Sequence, residues 1–446
     1  MDEVDLEVIR EYLRRNPTHR ADLRLCPARA RVGKAWKRIV ELRNLGFCLE
    51  LVCRGGTRLR LPKDLKLREH YAAEVERLRA IADAALGSRR TTEPSAGHPG
   101  AHGARPFVKW QARGAGGQRL AVMGALNWSP AHQSARLLCQ FILWWDRLGG
   151  ADRGVLFIPG GWGDYITELI ARIRIPVTCY SYSISGNVRQ VFPRNREPSG
   201  ASSPYVMFPM TSPPGPLLRV SASWPELDPV FRSGRWELSF RGLPVLWFDE
   251  AGGLLFDRER PTRFQTAGLL GFRRYLAQIL HARRWPPPRP RSPLYRFGRE
   301  RWLESLLVRG HRKILSDCVE TVYCQVPTFI EGDRKVLDIL TATPSGRLVV
   351  IELKPRREMG LLLQGLDYWD RVRRHLRKQD FQRAGYFPGM TLSEEPPLLY
   401  LVSPLFEFHP ALPVLRSYLD TAVRFECVGI NCDWRRGIEI LRRFTL

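Results

Sequence analysis

The chain is organised around Arg334 to Tyr368, where apolar runs are interrupted by single charged residues. Two short apolar runs flank Thr343-Pro344-Ser345-Gly346 and predict a β-hairpin, and a helical pattern opens near Arg357. A three-residue turn, with Pro344 entering and Gly346 left-handed, sets Thr343 opposite Arg347 and therefore Asp338 opposite Glu352. Side chains alternate along a strand, so Glu352 and Lys354 share a face with Val336, Leu340, Leu348 and Val350. Two carboxylates and an amine thus interrupt an apolar surface. Burying such charges unpaired is costly, so the pattern requires a compensating cation or a water-filled cleft.

Elsewhere a 3.6-residue period runs over Asp5 to Arg15 and again over Arg31 to Leu45, where Ala35, Ile39, Leu42 and Leu45 would face inward, so both stretches are predicted helices. Gly46 ends the second helix, and Cys48 to Pro62 reads as a hairpin around Gly55-Gly56. A helical pattern from Glu74 to Leu86 gives way to a linker rich in Gly, Pro and Ala. Strands are predicted at Phe107 to Ala112, Gln118 to Gly124, Gly154 to Pro159 and Pro176 to Ser183. Helices over Pro130 to Leu148 and Asp164 to Ile173 separate them. Gly234 to Asp257 reads as a β-meander, followed by a helix over Thr266 to Arg284. After a Pro-rich linker come a helix over Phe297 to Arg309, a strand at Val322 to Val326 and the hairpin. A helix over Glu358 to Lys378, a strand from Leu398, a helix near Ala411 to Leu419 and a strand from Val423 complete the order. The divisions are 1–66, a helix and flexible linker over 67–105, a middle α/β domain over 106–284, a linker over 285–296 and a last domain over 297–446.

A chain of 446 residues exceeds one ordinary core, and 44% hydrophobic residues support globular folding. The formal net charge of +25 points to a polyanionic partner, with DNA first. No stretch approaches a membrane-spanning helix and the acidic start, Met1 to Arg15, does not resemble a signal peptide, so a cytoplasmic protein without a membrane partner is expected. Nine cysteines with no CxxC pair suit reduced thiols.

Asp338 and Glu352 are hard oxygen donors suited to Mg2+, with Mn2+ as a substitute. Asp338, Glu352-Leu353-Lys354 and Gln364-Gly365-Leu366-Asp367-Tyr368 together resemble the PD-(D/E)xK nuclease superfamily, with Gln364 and Tyr368 matching the Q-x-x-x-Y element of its RecB-like members. Leu337 replaces the proline that names the motif. The run from Gly346 to Lys354 resembles the mismatch- and branched-DNA-directed endonucleases of the NucS type, over the last domain only. The resemblance implies a restriction-endonuclease-like αβββαβ fold in which Asp338, Glu352 and the main-chain carbonyl of Leu353 hold the ion. Lys354 would orient or deprotonate the attacking water, Gln364 would position Lys354 or the phosphate, and Glu304 on the first helix would complete or support the metal site.

Residues 1–66 resemble the winged helix-turn-helix of biotin-repressor-type regulators. That resemblance implies DNA contacts by Lys34, Lys37 and Arg38 on a recognition helix and by Arg54, Arg58 and Arg60 around a wing. In the middle region the order of elements is similar to the second half of the nuclease fold, with Gln133 placed much as Gln364 is, but its hairpin has no acid and no E-x-K. Whether this is a degenerate nuclease-like copy is left open by pattern alone. Arg371, Arg374 and Lys378 suggest a basic helix face. The expectation is therefore a multidomain α/β protein acting as a Mg2+-dependent DNA endonuclease in repair or defence. The alternative is a DNA-binding transcriptional regulator with an inactive nuclease-like domain, and a dimer is compatible with either.

Overall fold

A computed structural model describes residues 23–446 except 26–27, 33–34, 45–47, 54–57, 63–66, 88, 91, 93–106, 127–132, 161, 184–185, 193–211, 233–234, 250–251, 258–260, 266–267, 331–332 and 421–422. The helix predicted over Asp5 to Arg15 lies outside these residues. The chain is an α/β protein of two compact units, 1–194 and 195–446, so the stretch 106–284 expected as one domain is divided between them. Among the described residues no helix is long and apolar enough to cross a membrane.

The first unit begins with an antiparallel meander of β1 (Leu23–Leu25), β2 (Ala28–Val32), β3 (Ala35–Asn44), β4 (Cys48–Cys53) and β5 (Arg58–Pro62). This corrects the helix predicted over Arg31 to Leu45, which is formed by strands β2 and β3 instead. The same residues also satisfy a strand pattern, and cross-strand pairing of Leu42 with Leu51 and Arg38 with Arg29 settles the choice. Among the described residues the expected recognition helix is therefore replaced by strands, although β4 and β5 pair as predicted.

Helix α1 (Leu67–Leu86) precedes the second sheet of this unit, whose order is β11-β10-β9-β8-β7-β6. Its strands are β6 (Arg89–Arg90), β7 (Phe107–Arg113), β8 (Arg119–Ala125), β9 (Arg153–Pro159), β10 (Val177–Tyr182) and β11 (Val188–Val191). Helix α2 (Ser134–Leu148) joins β8 to β9 and α3 (Gly163–Ile170) joins β9 to β10, and both strand pairs are parallel.

The second unit opens with α4 (Gly215–Ser223) and the meander β12 (Asp228–Arg232), β13 (Arg235–Phe240), β14 (Leu243–Phe248), β15 (Leu254–Phe256) and β16 (Thr262–Arg263), closed by α5 (Leu269–Ala282). Leu217, Leu238, Val245, Leu246, Phe272 and Leu276 form its apolar core. The expected linker is built into the unit: buried Arg283 donates to the carbonyls of Leu294 (2.7 Å) and Phe297 (3.0 Å), flanking α6 (Pro293–Arg296). Arg309 in turn holds Asp228 of β12 at 2.6 Å. These ties explain why the meander belongs with the last domain and not with the first unit.

The remaining order is α7 (Arg299–Ile314), β17 (Tyr323–Ile330), β18 (Asp333–Ala342), β19 (Leu348–Leu353), α8 (Leu361–Arg377), α9 (Asp380–Arg383), β20 (Leu398–Pro404), α10 (Leu412–Ser417), β21 (Phe425–Ile430) and β22 (Ile440–Phe444). The sheet runs β17-β18-β19-β20-β21-β22, antiparallel at both ends and parallel across β19, β20 and β21. Trp302, Leu303 and Leu307 of α7 bury one face with Ile339, Val349, Ile351 and Leu353.

The two six-stranded sheets have the same strand order and directions, with α2 and α3 placed as α8 and α10 are, while α9 has no described counterpart in the first unit. Their hairpin turns also coincide: Gly114 N–H donates to Gln118 O at 2.9 Å as Thr343 N–H donates to Arg347 O at 2.8 Å. Gly117 and Gly346 occupy the same turn position at φ +82° and +81°. Counting from those turns, Lys109 and Met123 pair where Asp338 and Glu352 stand in the second unit, and Ala125 replaces Lys354.

Candidate metal centre

The hairpin of β18 and β19 fixes the first two acids. Ile339 pairs with Ile351 and Leu340 with Val350, and one step further that register sets Asp338 opposite Glu352. Gly346 is essential to the turn, since its φ is positive and a Cβ there would lie 2.0 Å from Thr391 O. Helix α8 approaches at Gly365, where a Cβ would come within 2.7 Å of Leu401 and 3.6 Å of Glu352 Cβ. The glycine inside the Gln364 to Tyr368 segment thus lets the helix lie close to the acidic strand.

Helix α7 delivers the third acid. Ligand oxygens of Glu300, Asp338 and Glu352 all lie within 4.8 Å of one another. Glu300, one turn before Glu304 on the same helix face, is the residue of α7 that joins the other two. Glu304 is buried behind them, accepting from the Gln325 amide and lying 3.5 Å from Arg232. Lys354 Nζ pairs with Glu300 and, at 3.1 Å, with Glu352. Asp338 Oδ2 accepts from the Leu353 N–H at 3.1 Å, and its Oδ1 lies 3.5 Å from Gln325 Nε2.

Burial pushes the Asp338 carboxyl up to about 6 although Lys354 pulls it down, and it pushes Glu304 up to about 8 with help from Asp338. Glu352 is raised well above the usual carboxylate range, by burial first and then by Asp338. Burial works to lower the Lys354 pKa, yet Glu352, Glu300 and Asp338 together reverse it and hold the ammonium protonated. Lys354 in this state is a cation and a donor, which favours the orienting role over that of a base. Tyr368 is half-buried nearby, its phenol kept neutral by burial and by the charges of Glu352 and Asp338.

Two buried oxygens in this neighbourhood have no partner, Glu352 Oε2 and Gln364 Oε1. Unsatisfied buried acceptors beside three carboxylates fit a hard divalent cation, which binds oxygen donors and few protein ligands. The set that would hold it is Glu300, Asp338 and Glu352.

The other expected binding residues are placed differently. Lys37 and Arg38 lie on β3, and Arg58 and Arg60 on β5, all in strands; Lys34 and Arg54 lie outside the described residues. The basic face expected on α8 is interrupted, because Arg371 is fully buried and pairs with Asp367 at 3.2 Å, which also binds Lys335 at 2.7 Å. The Arg371→Leu protein is expected to lose about 3 kcal/mol of stability, as a buried pair broken on one side leaves the other charge poorly compensated. A urea-unfolding midpoint unchanged from wild type would rule out that structural role.

Comparisons with protein-family models, with curated proteins and with solved structures each found no match.

Proposed function

We propose that this chain is a divalent-metal-dependent phosphodiester hydrolase, and more narrowly a DNA endonuclease of the PD-(D/E)xK kind. The observation that carries the reading is the convergence of Glu300, Asp338 and Glu352 within 4.8 Å, with Lys354 held at 3.1 Å from Glu352. A net charge of +25 supports a nucleic-acid substrate. A bound Mg2+ or Mn2+ would supply Lewis-acid polarisation of the phosphate and a water of lowered pKa. Lys354 offers its ammonium to the developing negative charge, and Gln364 presents an unpartnered amide oxygen from α8. Asp338 is fixed through the Leu353 N–H.

The shared topology of the two six-stranded sheets supports a degenerate nuclease-like copy in the first unit. Lys109, Met123 and Ala125 at the corresponding positions supply no metal-binding acid, so this copy would carry no equivalent centre. The alternative, a DNA-binding regulator with an inactive nuclease domain, would leave the three converging acids without a task.

The reading is tested with labelled single-stranded, duplex, mismatched and flapped DNA. Cleavage is expected with Mg2+ or Mn2+, to cease with chelator, and to fall at least about a hundredfold in Lys354→Ala. If wild type and variant bind DNA alike and neither cuts any substrate with either metal, the regulator becomes the better account.

A further inference from the structure

Five non-glycine residues among the described ones have a positive φ: Arg241, Asp257, Gln325, Gln379 and Phe387. Only Gln325, at +51°, lies within a strand. Left-handed backbone is disfavoured for side chains other than glycine, and such residues persist where their surroundings hold them. The pairing of β17 with β18 is intact on either side, Cys324 with Ile339 and Val326 with Leu337, which sets Gln325 directly across from Asp338. Gln325, Asp338 and Glu352 thus form one row across three strands.

A glycine would relieve the backbone at this position. What glutamine adds is its amide, which donates to Glu304 Oε2 and lies 3.5 Å from Asp338 Oδ1. The amide therefore stands between two buried carboxyl groups that would otherwise face one another. With the Leu353 N–H on Oδ2 and the Gln325 amide near Oδ1, Asp338 keeps lone-pair capacity for a cation. On the far side Arg232 Nη2 stands 3.5 Å from the other Glu304 oxygen and Nη1 lies 2.8 Å from Glu237, anchoring the chain of contacts in β12 and β13.

We infer that Gln325 is a positioning residue of the metal centre: its amide fixes Asp338 against Glu304 so that Asp338 presents a defined oxygen to the cation beside Glu300 and Glu352. This rests on the proposed metal-dependent function. Partners that orient metal ligands contribute roughly ten- to a hundredfold in affinity. A residue that only shaped the strand would affect melting and leave affinity in the folded protein untouched.

The test is calorimetric titration of Mn2+ into full-length wild type, Gln325→Asn, Gln325→Gly and Asp338→Asn, beside far-UV circular dichroism melts. Asn and Gly both accept a positive φ, so both variants keep the backbone while neither places an amide between the two acids. The expected result is folded Asn and Gly variants that bind Mn2+ at least about tenfold more weakly than wild type. Wild-type affinity in both, with binding lost in Asp338→Asn, overturns the role of Gln325 and leaves the metal centre standing. No Mn2+ binding by wild type overturns the centre itself, and the inference with it.

Discussion

The Asp338→Asn protein is expected to cleave DNA at least about a thousandfold more slowly than wild type while binding it with nearly unchanged affinity. Asparagine preserves size and an oxygen for the Leu353 N–H, so the hairpin has no reason to rearrange. What it removes is one of three negative charges gathered within 4.8 Å, and with it much of the attraction for a divalent ion. It also turns an amide donor toward Gln325, itself a donor at that position. On the proposed reading, a bound divalent ion would supply Lewis-acid polarisation and a water of lowered pKa, each worth several kcal/mol, so losing it would cost at least about a thousandfold. On the same reading binding should survive, because it would draw on a net charge of +25 carried by the whole chain. Single-turnover rates on end-labelled DNA, beside dissociation constants at fixed salt, measure the two separately. A variant that cuts within about tenfold of wild type would remove Asp338 from the metal centre.

The hairpin was legible because its information is local. A proline and a glycine at set positions fix the turn, the turn fixes the register, and strand alternation carries that register to Asp338 and Glu352. Gln364 and Tyr368 of α8 were singled out by the resemblance to the Q-x-x-x-Y element, and the helical period set them on one face, although the need for Gly365 became visible only against Leu401. Glu300 was missed for a different reason. Glu300 and Glu304 are four residues apart on one helix face, and only the placement of α7 against the end of the sheet decides which of them meets Asp338.

The two larger errors have the same origin in non-local contacts. Arg31 to Leu45 carries apolar residues at both helical and strand intervals, and pairing with β2 and β4 decides for strand. Arg371 reads as a surface charge in sequence, yet Asp367 and Lys335, the latter more than thirty residues away, give it a buried network. Arg309 and Arg283 also tie the β-meander to the last domain through contacts that composition does not reveal. The near identity of topology between the two six-stranded sheets was visible in outline from element order, whereas the coincidence of their turns required coordinates.

In metal-free protein, raising the pH from about 4.5 to about 8 is expected to lower stability, and Mg2+ or Mn2+ is expected to restore it at the upper end. Burial holds Glu304 at about 8 against an ordinary 4.5, and Asp338 at about 6 against 3.8. Glu352 is displaced in the same direction, by burial and by Asp338. Each acid therefore keeps its proton longer in the folded chain than in the unfolded one. Between the two values the folded protein binds more protons, so stability declines as pH rises; the decline begins above the unfolded value and is complete above the folded one. Lys354, raised above its ordinary 10.5 by the surrounding carboxylates, contributes in full across this window and does not alter the trend. For fully buried Glu304 alone the span is on the order of 5 kcal/mol, since one pKa unit is worth about 1.4 kcal/mol. A divalent ion binds the ionised acids of the folded state, so its stabilising effect should grow from pH 5 to pH 8, in roughly the window where protons leave. Melting midpoints recorded across that window, with chelator and with Mg2+, measure both halves of the prediction. Glu304→Gln should flatten the chelator curve without abolishing the response to metal, because Glu304 stands behind the three carboxylates and not among them. A midpoint that stays level or rises with pH in chelator would show that these acids are already ionised in the folded protein, and the buried, proton-holding cluster would have to be abandoned.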